Sequence, residues 1–136
     1  MVETGPDVQR VLEGSAISLC LDTGHLLIGG TDPADLAGQV PDRIAHTHFK
    51  DVDLTYARKV RAGRLSYTEA VREGMYRPLG HGDVDIAAIV EHLRGNGYDG
   101  WYTLEQDTIL TEPPADEGPV TDVRTSVDYL RTLLVG

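Results

Sequence analysis

The chain has 136 residues, of which 40% are hydrophobic and 25% charged, the balance of one compact domain with its own core. A net charge of -10 excludes a nucleic acid or an anionic membrane surface as partner, since phosphate binding needs clustered Lys and Arg. No apolar run nears the roughly 18 residues that span a bilayer, the first residues lack the pattern of a signal peptide, and the single cysteine, Cys20, cannot close an internal disulfide, so a cytoplasmic location is expected.

Residues 6–13 read as a helix, capped by Thr4 or Gly5, with Pro6 in its first turn and Gly14 as its stop. Residues 17–21 read as a strand. Ile17, Leu19 and Leu21 share one face, and Ser18, Cys20 and Asp22 the other; Cys20 is expected to be buried and inert. Gly29-Gly30 marks a loop, and Asp32-Pro33 opens a helix ending near Gly38. Residues 43–49 form the next strand, with Ile44, His46 and His48 pointing one way and Ala45, Thr47 and Phe49 the other. Residues 54–62 fit a helix or a loop.

Ser66-Tyr67-Thr68-Glu69 matches a capping box, so a helix is expected to Glu73, ending at Gly74. Residues 76–79 fit a short strand and Gly80-His81-Gly82 a turn. Asp83 or Asp85 caps an amphipathic helix carrying Ile86, Ile89, Val90 and Leu93 on one stripe, closed by residues 95–97. Residues 101–105 form the last strand, with Trp101 expected in the core. A Pro-rich loop over 111–118 leads to a final helix, capped by Thr121 and striped with Val123, Val127, Leu130 and Leu134.

Alternation of this kind predicts parallel strands covered by helices. Ligands of such sheets gather at the C-terminal ends of the strands, where Asp22, His48 and Glu105 all lie. Asp, His and Glu together suit a divalent cation such as Mn, Co, Mg or Zn. Each residue also has a plainer reading. Asp22 alone fits a cap, His25 a loop histidine and Glu105 a solvated carboxylate.

His46 and His48 alternate across one residue, about 6.5 Å apart along the strand. An ion at the mouth would take His48, leaving His46 deeper as a supporting group. Lys50-Asp51 reads either as a surface ion pair or as a cation placed against a substrate hydroxyl or enolate oxygen. Gly80-His81-Gly82-Asp83 suggests anion binding at a helix start, but flanking acidic residues favour a plain turn.

Several segments together resemble the xylose isomerase-like TIM barrels, the sugar phosphate isomerases/epimerases. They are Asp22-Thr23-Gly24-His25, Arg43-Ile44-Ala45-His46-Thr47-His48-Phe49-Lys50-Asp51, Pro78-Leu79-Gly80-His81-Gly82-Asp83-Val84-Asp85 and Gly97-Tyr98-Asp99-Gly100-Trp101 on to Glu105. Within that family the wording is most similar to the inosose (2-keto-myo-inositol) dehydratases. Their HxHxKD and GMYxPLGxGDVD patterns are nearly reproduced, Gly74-Met75-Tyr76 included. The resemblance implies an α/β fold, the C-terminal half of a (β/α)8 TIM barrel, as a single half-barrel domain over residues 1–136.

The resemblance further implies that Asp22, His48 and Glu105 ligate a divalent metal, that His25 faces the substrate and that Lys50 is a further substrate contact. The implied activity is a metal-dependent sugar or polyol isomerase, epimerase or dehydratase. It would act on a sugar or polyol ketone through an enediolate, with Glu105 or His25 moving the proton. The chain departs from the family in having no counterpart of strands one to four, and therefore of the ligand that strand four supplies. A half barrel leaves strand edges unpaired, which invites association. Three explanations follow: a piece of a longer protein, a homo-oligomer that rebuilds the barrel, or a separate N-terminal half-barrel chain. The alternative function is a catalytically incomplete half barrel that folds and oligomerises without activity of its own.

Overall fold

The computed structural model describes residue 2 and residues 4–135. In chain order the elements are α1 (Gly5–Gly14), β1 (Leu19–Asp22), α2 (Thr23–Gly29), α3 (Pro33–Gln39), β2 (Ile44–Phe49), β3 (Asp51–Val52), α4 (Leu54–Arg61), α5 (Tyr67–Arg72), β4 (Tyr76–Arg77), α6 (Ile86–Gly95), β5 (Tyr102–Leu104) and α7 (Pro119–Val135). A 3-10 turn, Pro41–Arg43, leads into β2. Local signals account for most starts. Thr4 caps α1, Asp32 caps α3 ahead of Pro33, Ser66 and Glu69 form a reciprocal capping box on α5, and Asp85 caps α6.

β1, β2 and β5 form one parallel sheet in that order. Asp22 pairs with His48, and His48 with Thr103. β3 and β4 make a small antiparallel clip just beyond the end of β2, joined to it through Lys50. One face of the sheet is sealed: Leu21, Thr47 and Phe49 are buried, together with Ala37 of α3 and Ile86, Ile89 and Leu93 of α6. The opposite face carries Cys20, Asp22, His46 and His48, all part-buried or exposed. Among the described residues no helix is long and apolar enough to cross a membrane.

Several expectations need correction. β1 starts at Leu19, and Ile17 is 54% exposed before it. Helix α2 follows β1 with no loop, because Asp22 ends the strand and caps the helix at once. A register shift between Leu19 and Cys20 separates buried Ile44 from the regular alternation of His46 and His48. The strand at residues 76–79 shortens to β4 and pairs with β3, so it does not join the parallel sheet.

Trp101 is not core: it is 81% exposed. Its carbonyl accepts from Thr47 Oγ1 and from the Tyr98 hydroxyl, while Tyr102, the next residue, packs edge-on against Phe49. Cys20 is exposed, because it lies on the open face of the sheet. α7 begins at Pro119, ahead of Thr121, and turns Ser126 and Leu130 inward while Val123 stays exposed. Ser126 replaces an apolar contact with a polar one, accepting from the Leu79 amide and donating to the Asp122 carbonyl.

Candidate functional site

Asp22 divides its carboxylate between two tasks. Oδ1 accepts the His25 backbone N–H at 2.9 Å, capping α2. Oδ2 turns to the open face, 3.0 Å from Lys50 Nζ and 3.7 Å from His48 Nδ1. The plainer reading of Asp22 as a cap is therefore true, and it leaves the second oxygen available. Glu105 arrives from the far strand. Its backbone N–H donates to the Phe49 carbonyl, extending the β5 ladder by one residue. Glu105 Oε2 then lies 3.3 Å from His48 Nδ1 and 2.8 Å from Lys50 Nζ.

Lys50 sits at the centre, 5% exposed, with Asp107 as a third carboxylate at 3.4 Å. Desolvation by itself would lower the pKa of this ammonium. Hydrogen bonds to Glu105 and Asp22, with the charges of Asp22 and Asp107, outweigh it and raise the pKa above the ordinary lysine value. The backbone there is fixed by Thr23: its buried hydroxyl donates to the Lys50 carbonyl at 2.6 Å and accepts the Lys50 N–H at 2.9 Å. Gly24 permits the approach, since a Cβ there would come within 2.8 Å of Lys50 Cβ.

The donor set fits a divalent cation. One atom each from Asp22, His48 and Glu105 lies within 4.8 Å of the others, giving two oxygens and one imidazole nitrogen, a hard-to-borderline set. Three carboxylates (Asp22, Glu105, Asp107) face one ammonium, so the cluster keeps an excess of negative charge that a further cation would neutralise.

His25 does not join this cluster. Its ring stacks on Tyr67 with centroids 6.2 Å apart. The Tyr67 and Tyr76 hydroxyls meet at 2.9 Å, and the Tyr76 ring lies 5.9 Å from Lys50 Nζ. Burial first, then the bond to Tyr67, pushes the Tyr76 phenol well above its ordinary range. These two tyrosines, Thr23 and Asp107 were not singled out from the sequence. The only signal was local, Tyr76 within Gly74-Met75-Tyr76 and Asp107 just past Glu105.

Lys50 and Asp51 are not a surface ion pair. Asp51 is 1% exposed, and its carboxylate accepts from the backbone N–H groups of Val52, Gly80, Gly82 and Val84 at 2.9 to 3.0 Å. This also decides the Gly80-His81-Gly82-Asp83 turn: the amides that would hold an anion already hold Asp51. Cys20, one rung below Asp22, has a thiol pKa raised by partial desolvation and then by the charges of Asp22 and Glu105. A concavity of about 740 Å³ between α1 and α3 is lined by none of these side chains; a smaller one, about 320 Å³, reaches Cys20, Asp22 and His25.

Comparison with known proteins places this arrangement in context. Residues 2–133 match the family described as Xylose isomerase-like TIM barrel. An inosose dehydratase of Lacticaseibacillus casei is 33% identical over 132 residues, covering 95% of this chain and 43% of its own length. The rhizopine catabolism protein MocC of Rhizobium meliloti is 37% identical over 123 residues, covering 89% of this chain and 37% of its own. The crystal structure of a probable 3-DHS dehydratase, AsbF, from Bacillus anthracis superposes with a TM-score of 0.62 at 20% identity, over 93% of this chain and 44% of that one. That last likeness concerns the fold alone. The chain spans about two-fifths of the length of the curated relatives it matches.

Proposed function

The chain belongs to the xylose isomerase-like TIM barrel family and carries part of that barrel, its parallel strands alternating with helices; from that premise we propose that it supplies the metal-binding strand ends of an inosose dehydratase-like enzyme. The substrate class is a sugar or polyol ketone. The observation that carries this reading is the convergence of Asp22, His48 and Glu105 donor atoms within 4.8 Å at the C-terminal ends of three parallel strands.

Asp22, His48 and Glu105 would hold a divalent cation such as Mn, Co, Mg or Zn. When bound, such an ion supplies Lewis-acid polarisation of a ketone and its neighbouring hydroxyl. The rest falls to the chain's own groups. Lys50, kept charged by its carboxylate neighbours, presents an ammonium to the oxygen where negative charge develops. Glu105 or His25 takes the proton from the carbon beside the carbonyl, and the released electron pair moves onto the carbonyl oxygen, giving an enediolate. In a dehydratase the β-hydroxyl then takes a proton and leaves as water. In an isomerase or epimerase the proton returns to carbon instead. His25, stacked on Tyr67 beside Asp22, and Lys50 are the substrate contacts in this reading.

A second reading is a barrel portion that folds and associates without activity of its own. It is favoured by the unpaired outer edges of β1 and β5 in the described sheet. Turnover of 2-keto-myo-inositol with added Mn or Co separates the two. Activity without a partner chain excludes the second reading. For the metal assignment, Asp22→Ala and His48→Ala are each expected to lose the bound ion measured by elemental analysis. Unchanged metal content in both would end the assignment.

A further inference from the structure

A different set of metal-ligating side chains lies one rung below the carboxylates. Cys20 pairs with His46 across β1 and β2, as Asp22 pairs with His48, and the two rungs are about 6.5 Å apart along the strands. The period of two puts Cys20 with Asp22, and His46 with His48, on the same open face. Cys20, His46 and His48 each offer a donor atom, and these atoms all lie within 4.8 Å of one another. The two imidazoles meet edge to face with centroids 5.3 Å apart. Thr103 Oγ1 lies 3.3 Å from His46 Nε2, the kind of outer partner that orients a metal-bound imidazole.

We propose that Cys20, His46 and His48 form a second cation site, one that takes a thiophilic divalent ion, Zn(II) foremost. The chemistry differs from that of the site above it. Sulfur and two imidazole nitrogens are a softer set than two carboxylates and one nitrogen. Three protein ligands also leave one tetrahedral position open for an exogenous ligand. Exposure of Cys20 gives an ion access from the open face of the sheet. The negative charges near Cys20 do not oppose this, because a coordinating cation removes the thiol proton outright. Only His48 is shared with the reading of the previous subsection, so the two stand or fall by different variants.

The test titrates the reduced, metal-stripped chain with Co(II). It reads thiolate-to-cobalt absorption in the near ultraviolet together with total bound metal. Cys20 is the only cysteine, so any such band reports this site alone. The wild type is expected to develop the band, to lose it on adding Zn(II), and to bind about two ions per chain, His48 giving one ring nitrogen to each ion and releasing its remaining ring proton to solvent. Cys20→Ser removes the band and about one ion; His46→Ala weakens the cobalt affinity read from the band by about tenfold or more. Asp22→Asn keeps the band and loses the other ion. Circular dichroism checks each fold, and His46→Gln replaces His46→Ala if the latter unfolds. No band in the saturated wild type, or a band that titrates unchanged in the folded His46 variant, overturns the proposal. Unchanged metal content in Asp22→Asn would instead overturn the carboxylate site and leave this one standing.

Discussion

Asp51→Asn is the sharpest perturbation this fold offers. The Asp51 carboxylate is sealed from solvent and accepts four backbone N–H bonds, two on each oxygen: Val52 and Val84 on Oδ1, Gly80 and Gly82 on Oδ2. An asparagine amide has one acceptor oxygen. Whichever way it flips, two N–H groups face an NH2 donor and lose their partner. Bonds to a charged acceptor contribute about 1.5 to 3 kcal/mol each, so about 3 to 6 kcal/mol is lost. Relief from burying a charge offsets part of this, and a net loss of about 2 to 4 kcal/mol is expected. That is a large share of a domain stability of about 5 to 15 kcal/mol. Urea unfolding followed by far-ultraviolet circular dichroism measures it, since Trp101 is too exposed to report core unfolding by fluorescence. Asp116→Asn, at an exposed loop position, serves as control and should shift stability by no more than about 0.5 kcal/mol. A loss below about 1 kcal/mol in Asp51→Asn would refute the claim that this carboxylate holds residues 80–84 against the end of the sheet.

Three further outcomes follow from the same geometry. Gly24→Ala places a methyl against Lys50 Cβ and the Tyr76 ring, and should cost about 1 to 3 kcal/mol while also weakening divalent-metal binding; tight binding retained in a folded variant would separate α2 from the site. Asp53 caps α4 through Thr55 N–H and pairs with Arg77; desolvation raises its pKa, but those partners outweigh it and hold it below 3.8. A folded pKa below the unfolded one adds stability that is present above about pH 3.8 and is lost as the pH falls through the folded value, so the urea midpoint should drop on acidification, and less steeply in Asp53→Asn, which keeps the cap and removes the titration. The outer edges of β1 and β5, unpaired among the described residues, predict self-association, so sedimentation should give a mass above 14.8 kDa that falls on dilution; a monomer at every concentration counts against it.

The parts legible from the sequence were those written in adjacent residues. Ser66 with Glu69, Asp32 before Pro33, and the stripe of Ile86, Ile89, Val90 and Leu93 each carry their meaning within two turns of chain. Helix α2 was not legible, because Thr23-Gly24 is a poor helical opening. It is held from outside by the bonds of Thr23 to the Lys50 backbone and by the close seat of Gly24 against Lys50. Trp101 and Tyr102 could not be told apart by hydrophobicity; register with Thr47 turns the tyrosine inward, against the Phe49 ring. Lys50 and Asp51 looked like a pair because they are adjacent. An extended backbone sends neighbours to opposite sides, and, the Val52 N–H on Asp51 apart, each found its partners more than twenty residues away. The positions of Asp22, His48 and Glu105 at strand ends were readable. That one oxygen of Asp22 would cap a helix while the other faced Lys50 and His48 was not, because the division depends on a helix the local sequence does not announce.

The open face of the sheet owes its geometry to the sealed one. Slipping β1 by one residue against β2 would turn Asp22 to the helix side and Leu21 to the open side, since side chains alternate with a period of two. Leu21 and Phe49 forbid the slip, being wholly buried against the helices. Thr47 forbids it on the other flank, because its hydroxyl donates to the Trp101 carbonyl and fixes β5 against β2. With β2 locked on both sides, Asp22, His48 and Thr103 fall on one line, and Glu105, two residues further on, rises past its end. The convergence of three donors from distant parts of the chain therefore needs no contact among the donors themselves. It follows from burying the other side chains of the same strands, which is why the cluster can keep like charges together without loosening the fold.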